Sequence, residues 1–90
     1  MLVTINALGV SSFDRGSLVF YPNPTQDIIN FTYKDSITEI AVYNVLGQIV
    51  LQTVPNATST AVNVSNLALG TYLVKLFSGQ FFTTFRILKN

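Results

Sequence analysis

Asp14, Asp27, Asp35 and Glu39 are the candidates for acid–base chemistry in this 90-residue chain, which contains neither His nor Cys. That absence removes Ser-His-Asp and Cys-His nucleophiles, imidazole and thiolate metal sites, and disulfides. Carboxylate catalysis needs two such groups facing one substrate bond. Here Asp14 falls in a Gly/Ser-rich segment, Asp27 and Asp35 at strand ends, and Glu39 on an outward strand position, so the four read as solvated charges. No Asp/Asn-rich loop has calcium-binding spacing, and the five glycines are isolated turn residues, not a phosphate cradle. No catalytic residue, metal or cofactor is expected, and the chain is not expected to be an enzyme.

The basic residues Arg15, Lys34, Lys75, Arg86 and Lys89 leave a net charge of +1 with no run of like sign. Nucleic acid needs a clustered basic footprint and is not an expected partner. No stretch reaches the ~18 consecutive apolar residues of a membrane-spanning helix, and Asn44 and Gly47 interrupt even the richest region, Ile40 to Leu51. A soluble domain without a membrane span is expected. Met1 to Asn6 lacks the basic flank and apolar segment of a secretory leader. If the protein is exported, that first address is expected to lie outside these residues, with Met1 an artificial or truncated start.

With 49% apolar and 10% charged residues the chain should fold. Helical periodicity is absent, whereas alternation of apolar and polar residues recurs between turn residues. Seven strands are predicted, at Leu18–Tyr21, Ile28–Tyr33, Thr38–Tyr43, Gln48–Thr53, Ala61–Val64, Thr71–Phe77 and Phe81–Leu88, preceded by a short strand over residues 2–6. Seven short strands describe an all-β, Ig-like two-sheet antiparallel sandwich. Lys75 must face water, so Tyr72, Val74 and Leu76 face the core. The same parity turns Ile29, Phe31, Tyr33, Ile40, Val42, Phe85 and Ile87 inward. Pro22-Asn23-Pro24 forms a corner that cannot sit inside a sheet, because it removes two backbone donors. Gly47 and Gly79 supply positive φ for hairpins, and Leu67 drops onto the core before Gly70 turns the chain. Residues 1–17 read as upstream remnant and linker, with the domain at 18–90.

In their order and spacing, Phe20-Tyr21-Pro22-Asn23-Pro24-Thr25, Ile40 to Gln48 (IAVYNVLGQ), Leu67 to Tyr72 (LALGTY) and a Lys-bearing terminal strand resemble the type A C-terminal sorting domain of the type IX (Por) secretion system of Bacteroidota. The resemblance extends upstream to Gly9 and Phe13-Asp14. It matches Tyr21, Pro22, Asn23 and Pro24 to the first family motif, Gly47 to the second, and Leu67, Gly70 and Tyr72 to the third. Phe85 to Asn90, with Phe85, Arg86 and Lys89, matches the terminal segment, although Asn90 stands where the family often finishes on a basic residue. The resemblance implies a signal that follows an N-terminal cargo domain, crosses the periplasm, and is bound by the type IX outer-membrane translocon and its shuttle protein. A sortase-like surface protease then removes it, with the cut expected between Ala7 and Ser17, and the cargo reaches the cell surface or the medium. Asp35-Ser36-Ile37, expected in a turn, is similar to the O-glycosylation sites of exported proteins in that phylum, which makes Ser36 a candidate. The sequons at Asn30, Asn56 and Asn63 read as chance in a chain rich in Asn, Ser and Thr.

Two surfaces could bind a partner. The terminal strand is expected to keep an unpaired edge open to strand addition, with Arg86 and Lys89 guarding the uncharged, aggregation-prone Phe81 to Phe85. The alternative is an Ig-like carbohydrate-binding or adhesion module, for which Phe77 and Phe82 are the outward aromatics the sequence offers.

Overall fold

The computed structural model describes residues 14–90, so the short strand expected over residues 2–6 and most of the expected linker lie outside the described residues. Seven strands follow in order: β1 Val19–Tyr21, β2 Ile28–Ile37, β3 Glu39–Tyr43, β4 Ile49–Thr53, β5 Ala57–Asn63, β6 Gly70–Ser78 and β7 Phe81–Lys89. They form two antiparallel sheets, one ordered β1-β2-β5 and the other β4-β3-β6-β7, which is the expected all-β sandwich.

Alternation decides what each sheet buries. Ile29, Phe31, Tyr33, Ile37 and Val62 from the first sheet meet Ile40, Val42, Tyr72, Val74, Leu76, Phe85 and Ile87 from the second, with Val64 just beyond β5. Every residue assigned inward by parity is buried. Phe20 completes the core from the short edge strand, its ring stacked 4.3 Å from that of Phe85.

Two strands run further than alternation predicts. β2 continues through Lys34-Asp35-Ser36 to Ile37, because a register shift between Thr32 and Ile37 absorbs the polar run and returns Ile37 to the core. Asp35-Ser36-Ile37 is therefore the bulged end of a strand and not a turn. β5 begins at Ala57, four residues before the alternation is visible, because its pairing comes from the β2 backbone, with the Thr32 and Ser59 hydroxyls 3.3 Å apart.

Asp14 to Ser17, expected in the linker, form a 3-10 turn (Arg15–Ser17) docked on the sandwich. Asp14 caps it, accepting from the Gly16 amide and the Ser17 hydroxyl, and pairs with Lys34 at 3.5 Å. Its own amide donates to the Tyr33 hydroxyl, and Arg15 donates to the Thr83 hydroxyl and the Thr84 carbonyl. The Ser17 hydroxyl, and then Lys34, hold the Asp14 carboxyl below the usual carboxylate range.

Candidate functional site

The motif residues are scattered over the chain, yet the topology brings them to one end of the sandwich. Tyr43 is opposite Leu73, Leu73 is opposite Arg86, and Gly70 is opposite Lys89, so the β3–β4 connection, the β5–β6 connection and the end of β7 share that end. The β1–β2 connection joins them through a parallel bridge between Thr25 and Lys89. This is the motif end of the sandwich. Asp14 to Ser17 lie toward the other end, since Arg15 reaches Thr83, six residues before Lys89 on β7, or about 20 Å along a strand.

The Tyr-Pro-Asn-Pro corner straps the last strand. Both prolyl bonds, Tyr21–Pro22 and Asn23–Pro24, are cis. Asn23 then presents its side chain to the edge of β7 in place of a backbone, its Oδ1 accepting from the Leu88 amide at 3.0 Å and its Nδ2 donating to the Arg86 carbonyl at 3.5 Å. Thr25 continues the strap: its amide donates to the Leu88 carbonyl at 2.9 Å and its carbonyl accepts from the Asn90 amide at 2.8 Å. Thr25 is fully buried, with its hydroxyl donating to the Ile28 carbonyl. In the sequence Thr25 is legible as part of the motif but not as a strap, and corner and strand edge read as two features. They are one. Pro22 and Pro24 stay exposed and line a shallow depression with Gln26, Asp27, Ile28 and Asn90.

The expected free edge of β7 is therefore divided. Even-numbered residues of β7 turn their backbone groups away from β6. Those of Leu88, with the Arg86 carbonyl and the Asn90 amide, are taken by the corner, and the Thr84 carbonyl is taken by Arg15. Among the described residues, the amides of Phe82, Thr84 and Arg86 keep no strand partner on that side.

The β3–β4 hairpin is built by Asn44. Its Oδ1 accepts from the Leu46 and Gln48 amides, its Nδ2 donates to Gln48 Oε1 at 2.9 Å, and its backbone bonds both Gln48 and Gly47. Gly47 sits at φ 83°, a region that penalises a β-carbon. Asn44 is legible in the sequence as an interruption of an apolar run, although an Asn three residues before a Gly is a turn signal.

In the third segment the Asn63 side chain accepts from the Ser65 amide and hydroxyl, and the Val64 amide donates to the Asp27 carbonyl. Leu67 packs against the core as expected, and Gly70 takes φ 141°. The buried Tyr72 sends its hydroxyl back to the Ala68 carbonyl at 2.6 Å, which ties loop to strand.

In the terminal segment Phe85 is buried among Phe20, Phe31 and the Arg15 guanidinium, whereas Arg86 faces water. Lys89 does not guard the Phe81 to Phe85 stretch. It shares the inward parity of Phe85 and Ile87 and is only 7% exposed. A long aliphatic stem lets a lysine cover core side chains while its ammonium reaches water. Of the aromatic stretch, Phe81 and Phe82 are exposed and Phe85 is not.

Phe77 and Phe82 lie 5.7 Å apart and tilted, with the Lys75 ammonium 5.6 and 4.7 Å from their centroids, so a cation already occupies these rings. They are not the sole outward aromatics, since Tyr21 and Phe81 are exposed as well. Ser36 is exposed on the β2 bulge, away from the motif end, and its carbonyl accepts from the Ser78 hydroxyl.

Among the described residues no helix is long and apolar enough to cross a membrane. A family model described as a secretion system C-terminal sorting domain matches residues 19–90. No curated protein matches the chain.

Proposed function

The chain belongs to the secretion system C-terminal sorting domain family, a C-terminal signal for type IX export to the cell surface or the medium, and from that premise we propose that the motif end is the part the machinery reads. One observation carries this reading. All four motif segments converge at the end away from Asp14 to Ser17, where the chain from the cargo side joins the sandwich. A folded cargo attached there leaves the motif end uncovered.

In this proposal the motif residues act by shape. Pro22, Asn23, Pro24 and Thr25 fix the end of β7, Gly47 and Asn44 fix the hairpin, Leu67, Gly70 and Tyr72 fix the loop, and Phe85 anchors the terminal strand. Together they form one rigid surface for the outer-membrane translocon and its shuttle protein after passage through the periplasm. Arg86, exposed beside the strap, is the charged residue best placed to touch the partner. The domain carries no chemistry of its own, the surface protease cuts between Ala7 and Ser17, and Ser36, remote from the motif end, remains accessible to O-glycosylation. An open stretch of β7 edge at Phe82 to Arg86 favours strand addition as a second contact with the machinery.

The test is a fluorescent reporter carrying the 90-residue chain at its C-terminus, in a Bacteroidota host with and without its type IX translocon. Translocon-dependent delivery is expected, and deletion of Phe85 to Asn90 should abolish it, because the deletion removes the core-facing half of β7 and all three residues that the corner holds, Arg86, Leu88 and Asn90. Normal secretion of the truncated fusion would defeat the proposal. Loss of delivery on Thr84→Pro, which removes an open edge amide and leaves the ladder to β6 intact, with motif-end variants unaffected, would transfer recognition to the open edge.

A further inference from the structure

The motif end presents two aliphatic side chains in a way that folding does not require. Val45 and Leu46, at the tip of the β3–β4 hairpin, are 83% and 79% exposed, and Leu69 of the neighbouring connection is 74% exposed. None of the three belongs to the core or packs against it. Isolated exposed aliphatics are ordinary, but two adjacent ones at the tip of a hairpin with a third at the same end are not. The tip is also stiff, because one Asn44 oxygen holds both the Leu46 and Gln48 amides and Gly47 closes the turn. A tip held in one conformation before binding loses little entropy on binding.

Charge narrows the partner. Between Glu39 and Lys75 the chain contains no charged residue, so neither hairpin nor loop can be steered by an anionic surface. A bilayer contact is ordinarily anchored by Trp, Tyr, Lys or Arg beside the inserted aliphatics. The hairpin tip, residues 44–50, contains none of these four types, and Tyr43 at its base is half-buried. The exposed Tyr21 and Arg86 of this end stand on β1 and β7, neither of which adjoins β3 or β4. An apolar pocket on a protein suits two uncharged aliphatic side chains on a rigid turn. We infer that Val45 and Leu46 form a knob that enters an apolar pocket on a protein component of the type IX machinery, with Leu69 at its rim. This rests on the motif-end reading and is continuous with that surface.

The experiment compares the reporter fusion carrying the unaltered chain, the double variant Val45→Ser/Leu46→Ser, and Val54→Ser, an exposed valine in the β4–β5 connection at the other end. Urea midpoints are measured in parallel, together with binding to the purified outer-membrane translocon and to phospholipid vesicles without protein. The double variant should lose at least tenfold in delivery and in translocon binding with its midpoint unchanged, while Val54→Ser behaves like the parent. Delivery of the double variant at the parental level overturns the knob and leaves the sorting signal intact. Failure of the parent itself overturns the sorting reading and the knob with it. Vesicle binding by the parent that the double variant loses, without a difference on the translocon, assigns the tip to lipid and also overturns the inference.

Discussion

Asn23→Ala tests the strap most directly. The substitution removes one good hydrogen bond, from the Leu88 amide at 3.0 Å, and one long contact to the Arg86 carbonyl at 3.5 Å. A net intramolecular hydrogen bond contributes about 0.5–1.5 kcal/mol, and the 3.5 Å contact adds little. Both freed backbone groups lie on a solvent-facing edge where water can replace Asn23, so the larger penalty for a buried unpaired group does not apply. The expected loss is about 1 kcal/mol. With a urea slope of ~1 kcal/mol per M for a chain this small, the midpoint falls by about 1 M. Asn23→Asp keeps the acceptor and loses only the donor, and should recover more than half of that shift. Hydrogen exchange supplies the local readout, because the Leu88 amide should exchange faster in Asn23→Ala while the Asn90 amide, held by the Thr25 carbonyl, stays protected. An unchanged midpoint together with unchanged Leu88 exchange would show that the corner touches the strand without holding it.

Gly70→Val should cost about 1–3 kcal/mol from the backbone alone, since φ is 141° and an added β-carbon meets no atom within 4 Å; an unchanged urea midpoint would remove the turn's need for glycine. Tyr72→Phe keeps the buried ring and deletes the bond to the Ala68 carbonyl, so a loss of about 1 kcal/mol with increased loop exchange near Leu67 is expected, read by urea titration and hydrogen exchange. Asp14 ionises more readily in the folded chain than in the unfolded one, so its contribution is present above the usual carboxylate range and is lost as pH falls through its lowered value. Asp14→Asn should therefore lower the urea midpoint at neutral pH, and the difference from the parent should vanish in strong acid; a difference that persists there would point to packing and not charge.

Much of the sandwich was legible because one lysine fixed the parity of β6 and alternation carried that parity to its neighbours. Legibility failed where pattern and pairing diverge. Lys34-Asp35-Ser36 reads as the end of a strand, but backbone pairing with β5 resumes at Ile37 once the bulge has absorbed the polar residues. Ala57 to Thr60 lacks large apolar residues and is a strand because β2 offers it a ladder. At the site, each motif could be read as a turn, whereas their meeting could not, because Asn23 and Leu88 are separated by 65 positions and neither residue type announces the other. Lys89 was misplaced for a related reason: residue type said surface, while strand parity, which had already placed Phe85 and Ile87, said inside.

The strap also ties the first part of the domain to its last strand. Asn23 and Thr25 are made early in the domain, but the groups they hold belong to Arg86, Leu88 and Asn90, made more than sixty residues later. Closing a loop of more than sixty residues carries an entropic cost that is recovered only when both ends are present. A polypeptide stopped a few residues short would possess the corner, the hairpin and the loop, and still lack the strand end that gathers them. The shape of the motif end therefore depends on both ends of the domain at once, and neither stretch can make it alone.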